Sequence, residues 1–170
     1  MLFEAHLGLG SNLGNRSANI ARGLDSLRHL SRSMTVSSLY ETAPQGFRDQ
    51  PPFLNAACAI WTPLDPFGLL AKIRAIEASL GGRRTFPNAP RALDIDILVH
   101  GRAALNTRWL RVPHPSMAER SFVLAPLAEI APGLRHPVLG LTVRELLARL
   151  SGADREVTRL PDPRPLQILH

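Results

Sequence analysis

The chain has 170 residues, a length typical of one domain with a single hydrophobic core. With 45% hydrophobic and 20% charged residues, its composition is ordinary for a globular protein and excludes disorder throughout. The net charge of +6 comes from arginines spread along the chain, and aromatic residues make up only 5%, so no nucleic-acid-binding surface is predicted.

The N-terminal part of the chain is predicted to alternate strands with helices. Asparagine side chains accept hydrogen bonds from the free N–H groups at a helix start, so either Asn12 or Asn15 can cap the first helix. Asp65 followed by Pro66 is typical of the start of a second helix, which two glycines end at 81–82. The predicted segments are a strand over 2–9, a helix with Ile20, Leu24, Leu27 and Leu30 on its apolar face, strands over 34–40 and 53–61, a loop over 42–52, and a helix with Phe67, Leu70, Ile73, Ile76 and Leu80 facing the core.

The order of segments along the whole chain predicts an α+β fold, a mainly antiparallel sheet with helices packed on one face. We assign 1–150 to one domain and 151–170 to a C-terminal tail that is extended or packed on the domain. The remaining predicted segments are a loop over 83–90, a strand over 93–99, a turn at Gly101, an extended stretch over 105–112, and helices around 122–130 and 142–150.

Features of export and membrane insertion are not found in the sequence. The N-terminal segment contains Glu4 and has no basic region before a long apolar core, so it is not predicted to be a signal peptide. Apolar runs stay shorter than the roughly 18 residues that a membrane span needs. We therefore expect a cytoplasmic protein without membrane contacts. Cys58 lies in an apolar run and is predicted to be a small buried residue rather than a reactive thiol.

Asp94 and Asp96 are the strongest local signal for chemistry. Side chains two residues apart on a strand point to the same face, so their carboxylates project together while Ile95 and Ile97 point toward the core. A divalent cation relieves the repulsion between two such carboxylates, and Mg²⁺ typically takes one or two of them together with phosphate oxygens. The alternative is an exposed strand face whose acids pair with arginines. Arg91 just upstream favours the first interpretation, because phosphoryl transfer needs cations beside the transferred group.

Two further motifs are less specific. The glycines of the segment 8–14 follow G-x-G-x-x-x-G, one residue longer than a dinucleotide-binding motif, and predict only a strand-to-helix turn that holds Ser11 and Asn12. His114 stands between two prolines, whose rigid backbone would hold the imidazole beside Arg120 as a second phosphate ligand. A purely structural histidine is the alternative.

These motifs belong to a longer series of blocks in the sequence, at 10–13, 38–42, 49–51, 53–57, 76–77, 90–98, 112–115 and 120–127. In this order the blocks resemble the 6-hydroxymethyl-7,8-dihydropterin pyrophosphokinases of folate biosynthesis. The resemblance implies a ferredoxin-like α+β sandwich and transfer of the β,γ-pyrophosphoryl unit of ATP to the hydroxymethyl group of the pterin, with release of AMP. It also implies two Mg²⁺ ions, ATP and hydroxymethyldihydropterin as the partners, no nucleic acid, and a monomer.

The resemblance further assigns roles to individual residues. Asp94 and Asp96 would bind both magnesium ions, and the catalytic set would be these two with Arg91 and Arg84. Phe53 and Phe122 would sandwich the pterin ring. The implied pterin contacts are Thr42, Ala43, Pro44, Gln45, Phe53, Asn55 and Phe122. The implied nucleotide contacts are Arg74, Glu77, Arg84, Arg91, Ile97, His114 and Arg120.

The loop over 81–90 departs from the pattern of this family. Its two arginines follow two glycines, where the family usually has Gly-Arg-x-Arg, so either Arg83 or Arg84 can occupy the functional position. The usual tryptophan is also missing, and the loop is one residue short. This loop and the one over 42–52 are candidates for a closing lid, so altered turnover is expected. A divergent relative that binds pterin or nucleotide without efficient transfer is the alternative function, and a nucleic-acid-binding domain has only the positive charge in its favour.

Overall fold

The computed structural model describes residues 1–44, 48–81, 86–87, 89–151 and 156–161. In chain order its elements are β1 (Phe3–Ser11), α1 (Arg16–Arg28), β2 (Ser33–Val36), β3 (Tyr40–Thr42), β4 (Phe53–Thr62), α2 (Pro66–Ser79), β5 (Asp94–His100), β6 (Leu105–Asn106), β7 (Arg111–Val112), a short 3₁₀ helix (Met117–Glu119), α3 (Ser121–Ile130), α4 (Val143–Arg149) and β8 (Val157–Arg159). The predicted α+β class and the predicted helices are confirmed, with ends that differ by one or a few residues.

The described strands form an antiparallel sheet in the order β5-β1-β4-β3-β8, and β2 also pairs with β4. The single strand predicted over 34–40 is wrong, because β2 and β3 are separate strands that pair with different parts of β4. Between them, the Ser37 side-chain oxygen accepts a hydrogen bond of 2.9 Å from the Ala57 backbone N–H. A side chain therefore replaces a strand carbonyl in the ladder at this point. The stretch over 105–112 is a small hairpin of β6 and β7 rather than one extended segment.

Helices cover both faces of the sheet, so the expectation of one covered face is wrong. Leu24 of α1 and Ile73 of α2 pack with Ile97 in one buried cluster. Leu98, the next residue on β5, packs with Leu124 of α3 in a second cluster. Successive strand residues point to opposite faces, so the two clusters lie on opposite sides of the sheet. The continuous apolar run of β5 is typical of a strand buried on both sides.

The helix starts follow the predicted chemistry, although one predicted face is partly wrong. Asn15, and not Asn12, caps α1 by accepting a 3.1 Å hydrogen bond from the Ala18 N–H. Asp65 caps α2. The apolar stripe of α2 runs through Leu69 and Ile73, whereas Phe67 in the first turn is 44% exposed. Leu70, Ile76 and Leu80 pack against the same core as Ile73, so only Phe67 departs from the predicted face.

Part of the predicted tail belongs to the sheet. Val157–Arg159 forms β8, which pairs antiparallel with β3 and lies at the sheet edge. The division into a domain over 1–150 and a tail stays a prediction. In the described part of the chain, no helix is long and apolar enough to cross a membrane.

Close contact between α1 and the segment before β5 makes Gly23 sensitive to substitution. A Cβ atom at this position would lie 2.7 Å from Leu93 Cδ2 and 3.4 Å from Leu9 Cδ2. Overpacking of this kind costs roughly 1–3 kcal/mol, whereas replacing glycine by alanine inside a helix gains at most about 1 kcal/mol. We therefore expect Gly23→Ala to lower the free energy of unfolding, measured by urea denaturation. Gly133→Ala, where a Cβ would meet nothing within 4 Å, is the control, and a Gly23→Ala protein more stable than the wild type would contradict the packing.

Candidate active site

A cleft at one end of β1, β4 and β5 gathers most of the residues that the sequence singled out. The start of α3 and the end of β3 complete its walls. Predicted residues that line the cleft are Thr42, Ala43, Phe53, Asn55, Arg91, Asp94, Asp96, Arg120 and Phe122. The cleft is also lined by residues to which the sequence analysis gave no role in binding or catalysis: Gly8, Leu9, Gly10, Ala56 and Val123.

Two glycines of β1 form the floor of the cleft. Gly8 pairs in register with Asp96, and Gly10 pairs with Asp94. A Cβ atom on Gly10 would approach Asn55 Oδ1 to 3.3 Å and Phe53 Cδ1 to 3.6 Å. Both glycines lie in the strand that was predicted to end near Gly10, whereas Ser11, which was predicted in the following turn, is the last residue of β1. Their missing side chains leave the surface between the carboxylates and the aromatic wall open.

Arg91 joins the carboxylates to the aromatic wall. Its Nε atom lies 3.4 Å from Asp94 Oδ2, and both side chains are largely buried. The guanidinium carbon lies 5.2 Å from the centre of the Phe53 ring, a distance typical of a cation–π contact. A cation, a carboxylate and an aromatic ring therefore meet at one point of the cleft.

The position of Arg91 is set by Asn12, which is 1% exposed. The Arg91 backbone N–H donates a 2.9 Å hydrogen bond to Asn12 Oδ1, and the Asn12 N–H donates one of 3.1 Å to the Arg91 carbonyl. Asn12 Nδ2 also donates to Gln50 Oε1 at 2.7 Å and to the Pro51 carbonyl at 3.1 Å. One buried amide thus ties the end of β1 to two segments far along the chain, a role that the sequence analysis missed.

Glu77 lies behind the two aspartates and does not line the cleft. Its Oε2 atom accepts a 3.1 Å hydrogen bond from the backbone N–H of Ile95, the residue that separates Asp94 from Asp96. Burial raises the pKa of the Glu77 carboxyl to about 7, and the negative charges of Asp94 and Asp96 add to this shift. Three acids therefore crowd the end of β5, an arrangement that favours a bound cation.

His114 and Arg120 are the other two predicted phosphate ligands near the carboxylates. His114 Nε2 is 4.0 Å from Asp96 Oδ2, and its Nδ1 atom accepts a 3.1 Å hydrogen bond from the Ser116 N–H. Burial lowers the pKa of His114, and the charge of Arg120 acts in the same direction. The Arg120 guanidinium carbon lies 5.6 Å from the centre of the Phe122 ring. Arg120 lines the cleft, whereas His114 contacts Asp96 from outside it and lines a second pocket beside Pro113 and Pro115.

Asn55 lines the cleft and carries a buried polar atom that has no hydrogen-bond partner in the described part of the chain. The residue is 5% exposed, and its Nδ2 finds no hydrogen-bond acceptor among the described residues. A buried N–H group without an acceptor costs roughly 1–3 kcal/mol, so such groups in native proteins usually meet a ligand or water. Phe53 and Phe122 line the same cleft, together with Thr42 and Ala43.

Several predicted site residues are not brought to this cleft. Ile97 is 4% exposed and packs in the core, so its side chain does not reach the cleft. Arg74 is exposed on α2, and Pro44 does not line the cleft. Gln45 and Arg84 lie outside the described residues, as do 82–85 of the altered loop.

Comparison with known proteins places these residues in a family. Residues 6–132 match the family model described as 7,8-dihydro-6-hydroxymethylpterin-pyrophosphokinase. The 2-amino-4-hydroxy-6-hydroxymethyldihydropteridine pyrophosphokinase of Methylorubrum extorquens is 46% identical over 156 residues, which are 89% of this chain and 98% of that protein. The protein of the same description from Bacillus subtilis is 48% identical over 128 residues, 74% of this chain and 77% of its own length.

Other similar proteins are much longer. The folic acid synthesis protein fol1 of Pneumocystis carinii is 40% identical over 153 residues, and the match covers 88% of this chain but only 20% of that protein. A Plasmodium falciparum HPPK-DHPS crystal structure with pteroate superposes with a TM-score of 0.71 at 18% identity, over 88% of this chain and 42% of that one. At this identity the superposition shows the shared fold.

Proposed function

This chain belongs to the 7,8-dihydro-6-hydroxymethylpterin-pyrophosphokinase family, and we propose that the cleft described above is where it transfers pyrophosphate from ATP to hydroxymethyldihydropterin in folate synthesis. One observation carries the proposal. A charged half with Asp94, Asp96 and Arg91 adjoins an aromatic and amide-lined half with Phe53 and Asn55 in a single cleft. A triphosphate and a flat, polar-edged heterocycle require these two halves side by side.

The aromatic half is suited to the pterin. Phe53 and Phe122 would hold the ring between their faces, and the buried Asn55 Nδ2 would donate to an acceptor at the pterin edge. Thr42 and Ala43 at the end of β3 would contact the same ring through the main chain. Pro44 and Gln45 remain proposed contacts from the same segment.

The charged half fits magnesium. Among the described residues, no three His, Cys, Asp or Glu side chains converge into a closed metal site. Asp94 and Asp96 would therefore supply the carboxylates, and ATP phosphate oxygens and water would complete the coordination, as is usual for Mg²⁺. Two bound ions would neutralise charge on the transferred pyrophosphoryl group. The crowding of Asp94 and Asp96 with Glu77 fits such a cation site.

The remaining cationic residues would position the phosphates. Arg91 is held by Asn12 on its main-chain side and by Phe53 on its guanidinium side, so it is preorganised for an anion in the cleft. His114 and Arg120 would bind further phosphate oxygens. The chain's contribution to the reaction is then to align the pterin hydroxyl with the β-phosphorus, neutralise charge and exclude water.

Measurement of AMP tests the proposed reaction. We expect the protein with ATP and Mg²⁺ to form AMP only when hydroxymethyldihydropterin is present, with one pterin diphosphate per AMP. AMP formation that does not depend on the pterin, or ATP conversion to ADP, would refute it.

The proposal has further parts. It includes nucleotide contacts from Arg74, Glu77, Ile97 and Arg84, and it includes a monomeric state, a cytoplasmic location and no nucleic-acid partner. Sedimentation analysis tests the oligomeric state.

Replacing Asn55 is expected to affect the pterin and not the nucleotide. Asn55→Ala removes the buried donor, and loss of a hydrogen bond in such a site costs roughly 1–3 kcal/mol, or about a 5- to 150-fold higher KM for the pterin. The KM for ATP should change less than about twofold. Steady-state kinetics with each substrate varied in turn measures both values. Equal effects on both substrates would contradict the assignment of Asn55 to the pterin half.

A further inference from the structure

The C-terminal strand β8 is connected to the substrate cleft through β3. It pairs with β3, with Arg159 opposite Tyr40 and Val157 opposite Thr42. The Thr42 hydroxyl also donates a 3.2 Å hydrogen bond to the Glu156 carbonyl. Thr42 and the following Ala43 line the cleft, so the residues at the outer end of β3 are held on one side by β4 and on the other by β8.

A network around Glu129 connects the same strand to the opposite wall. Glu129 lies on α3, whose first turn carries Phe122 of the cleft. Its carboxylate accepts hydrogen bonds from the Ser38 N–H at 3.0 Å, the Ser38 hydroxyl at 2.8 Å and the Tyr40 hydroxyl at 2.8 Å. This carboxylate therefore joins the helix of one wall to the chain that enters β3, the strand of the other wall.

Arg159 closes this network from β8. Its Nε donates a 3.2 Å hydrogen bond to the Ser38 hydroxyl, and its Nη2 lies 3.5 Å from Glu129 Oε1. The Leu160 N–H donates to the Leu39 carbonyl at 2.9 Å, so the strand is anchored on both sides of the arginine. Burial opposes ionisation of Glu129, but the hydrogen bonds from Tyr40 and Ser38 and the charge of Arg159 outweigh it and lower the pKa of this carboxyl.

We propose that β8, through Arg159, is a positioning element of the pterin half of the cleft: it holds β3, and therefore Thr42 and Ala43, at a fixed distance from α3. The proposal rests on the function proposed above and adds to it a segment more than a hundred residues away in sequence. A three-residue strand such as β3 makes few hydrogen bonds of its own, and without β8 it would be the edge of the sheet. The pairing with β8 and the link through Glu129 hold β3 in one position before the substrate binds. Binding a rigid ring then costs less conformational entropy.

Two variants separate this positioning from general stability. Arg159→Ala removes a partly exposed ion pair and a hydrogen bond, so we expect a rise of about two- to fivefold in the KM for hydroxymethyldihydropterin. Thr158 and Leu160 are two residues apart, so their N–H groups lie on the same side of the strand, the side that faces β3. Thr158→Pro removes this N–H from the ladder, and we expect a rise of about tenfold or more.

Matched controls and a second readout accompany these variants. Thr158→Ala keeps the N–H, and Arg149→Ala removes an exposed arginine on α4, so both should behave like the wild type. The KM for ATP should stay within about twofold in all four proteins. Backbone amide exchange over 40–43, measured by mass spectrometry on the full-length chain without ligands, should be faster in Arg159→Ala and Thr158→Pro than in the controls.

The outcomes distinguish this inference from the proposed function. Failure of the wild type to make AMP in the presence of the pterin refutes the proposed function, and the exchange experiment still decides the inference. A raised pterin KM with a steady ATP KM and faster exchange over 40–43 supports positioning. An unchanged pterin KM, an equal rise for both substrates, or unchanged exchange over 40–43 in Thr158→Pro overturns it.

Discussion

Replacement of Asp96 by asparagine is expected to lower kcat by about a thousandfold at saturating ATP and pterin. The amide keeps the shape of the carboxylate but loses its charge. A neutral amide is a much weaker ligand than a carboxylate for an Mg²⁺ ion that also binds phosphate oxygens. Loss of one preorganised charge at a reacting phosphate typically costs a hundredfold to a thousandfold in rate. Steady-state kinetics at several Mg²⁺ concentrations measures the loss and any partial recovery at high metal.

The same variant should not lose stability. Burial is the main reason why the pKa of Glu77 is raised to about 7, and the charges of Asp94 and Asp96 make smaller contributions in the same direction. Because a raised carboxyl pKa in the folded state weakens the fold as pH rises from about 4.5 to 7, removing a neighbouring charge should recover some of that stability. Asp25→Asn, which removes an exposed ion-pair partner of Arg28, is the control for stability.

The turnover of Asp96→Asn decides the metal assignment, because unchanged turnover would refute it.

Arg91→Ala is expected to have the second-largest effect, a fall in kcat of about a hundredfold or more. The side chain contacts both Asp94 and the Phe53 ring, so its loss removes a phosphate ligand and the ion pair that orients Asp94. Arg91→Lys should recover only part of the rate, because lysine keeps the charge but cannot span both contacts with a planar fork. Arg102→Ala, at an exposed position after β5, is the control.

Rate and binding measurements on Arg91→Ala have distinct outcomes. Single-turnover kinetics should show a slower chemical step, whereas equilibrium binding of the pterin alone should change little. A rise in the pterin dissociation constant with an unchanged chemical step would place Arg91 in the pterin half of the cleft and contradict its assignment to the phosphates.

The sequence predicted those parts of the site that depend on local periodicity. Asp94 and Asp96 are two apart on a strong strand, and the alternation of side chains is enough to place both carboxylates on one face. Asp65 and Asn15 cap their helices because capping involves residues three apart. These features are set within one turn or one strand of the chain.

Long-range contacts explain the parts that the sequence did not predict. The partners of Asn12 are 38 to 79 residues away, so no local pattern indicates that its amide positions Arg91. Gly8 and Gly10 were predicted at the end of the first strand, but only their pairing with β5 shows that they clear space beside the carboxylates. The strand over 34–40 was predicted as continuous because its residues alternate, whereas the hydrogen bond from Ala57 to Ser37 divides it.

The central claim is that the β5 carboxylates hold metal-bound ATP beside the pterin in one cleft. A crystal structure of the protein with Mn²⁺ in place of Mg²⁺, a non-transferable ATP analogue and hydroxymethyldihydropterin tests it directly, since Mn²⁺ gives an anomalous signal. We expect two anomalous peaks in contact with Asp94 and Asp96, and a pterin ring between Phe53 and Phe122. Metal peaks away from both aspartates, or a pterin bound outside this cleft, would contradict the account.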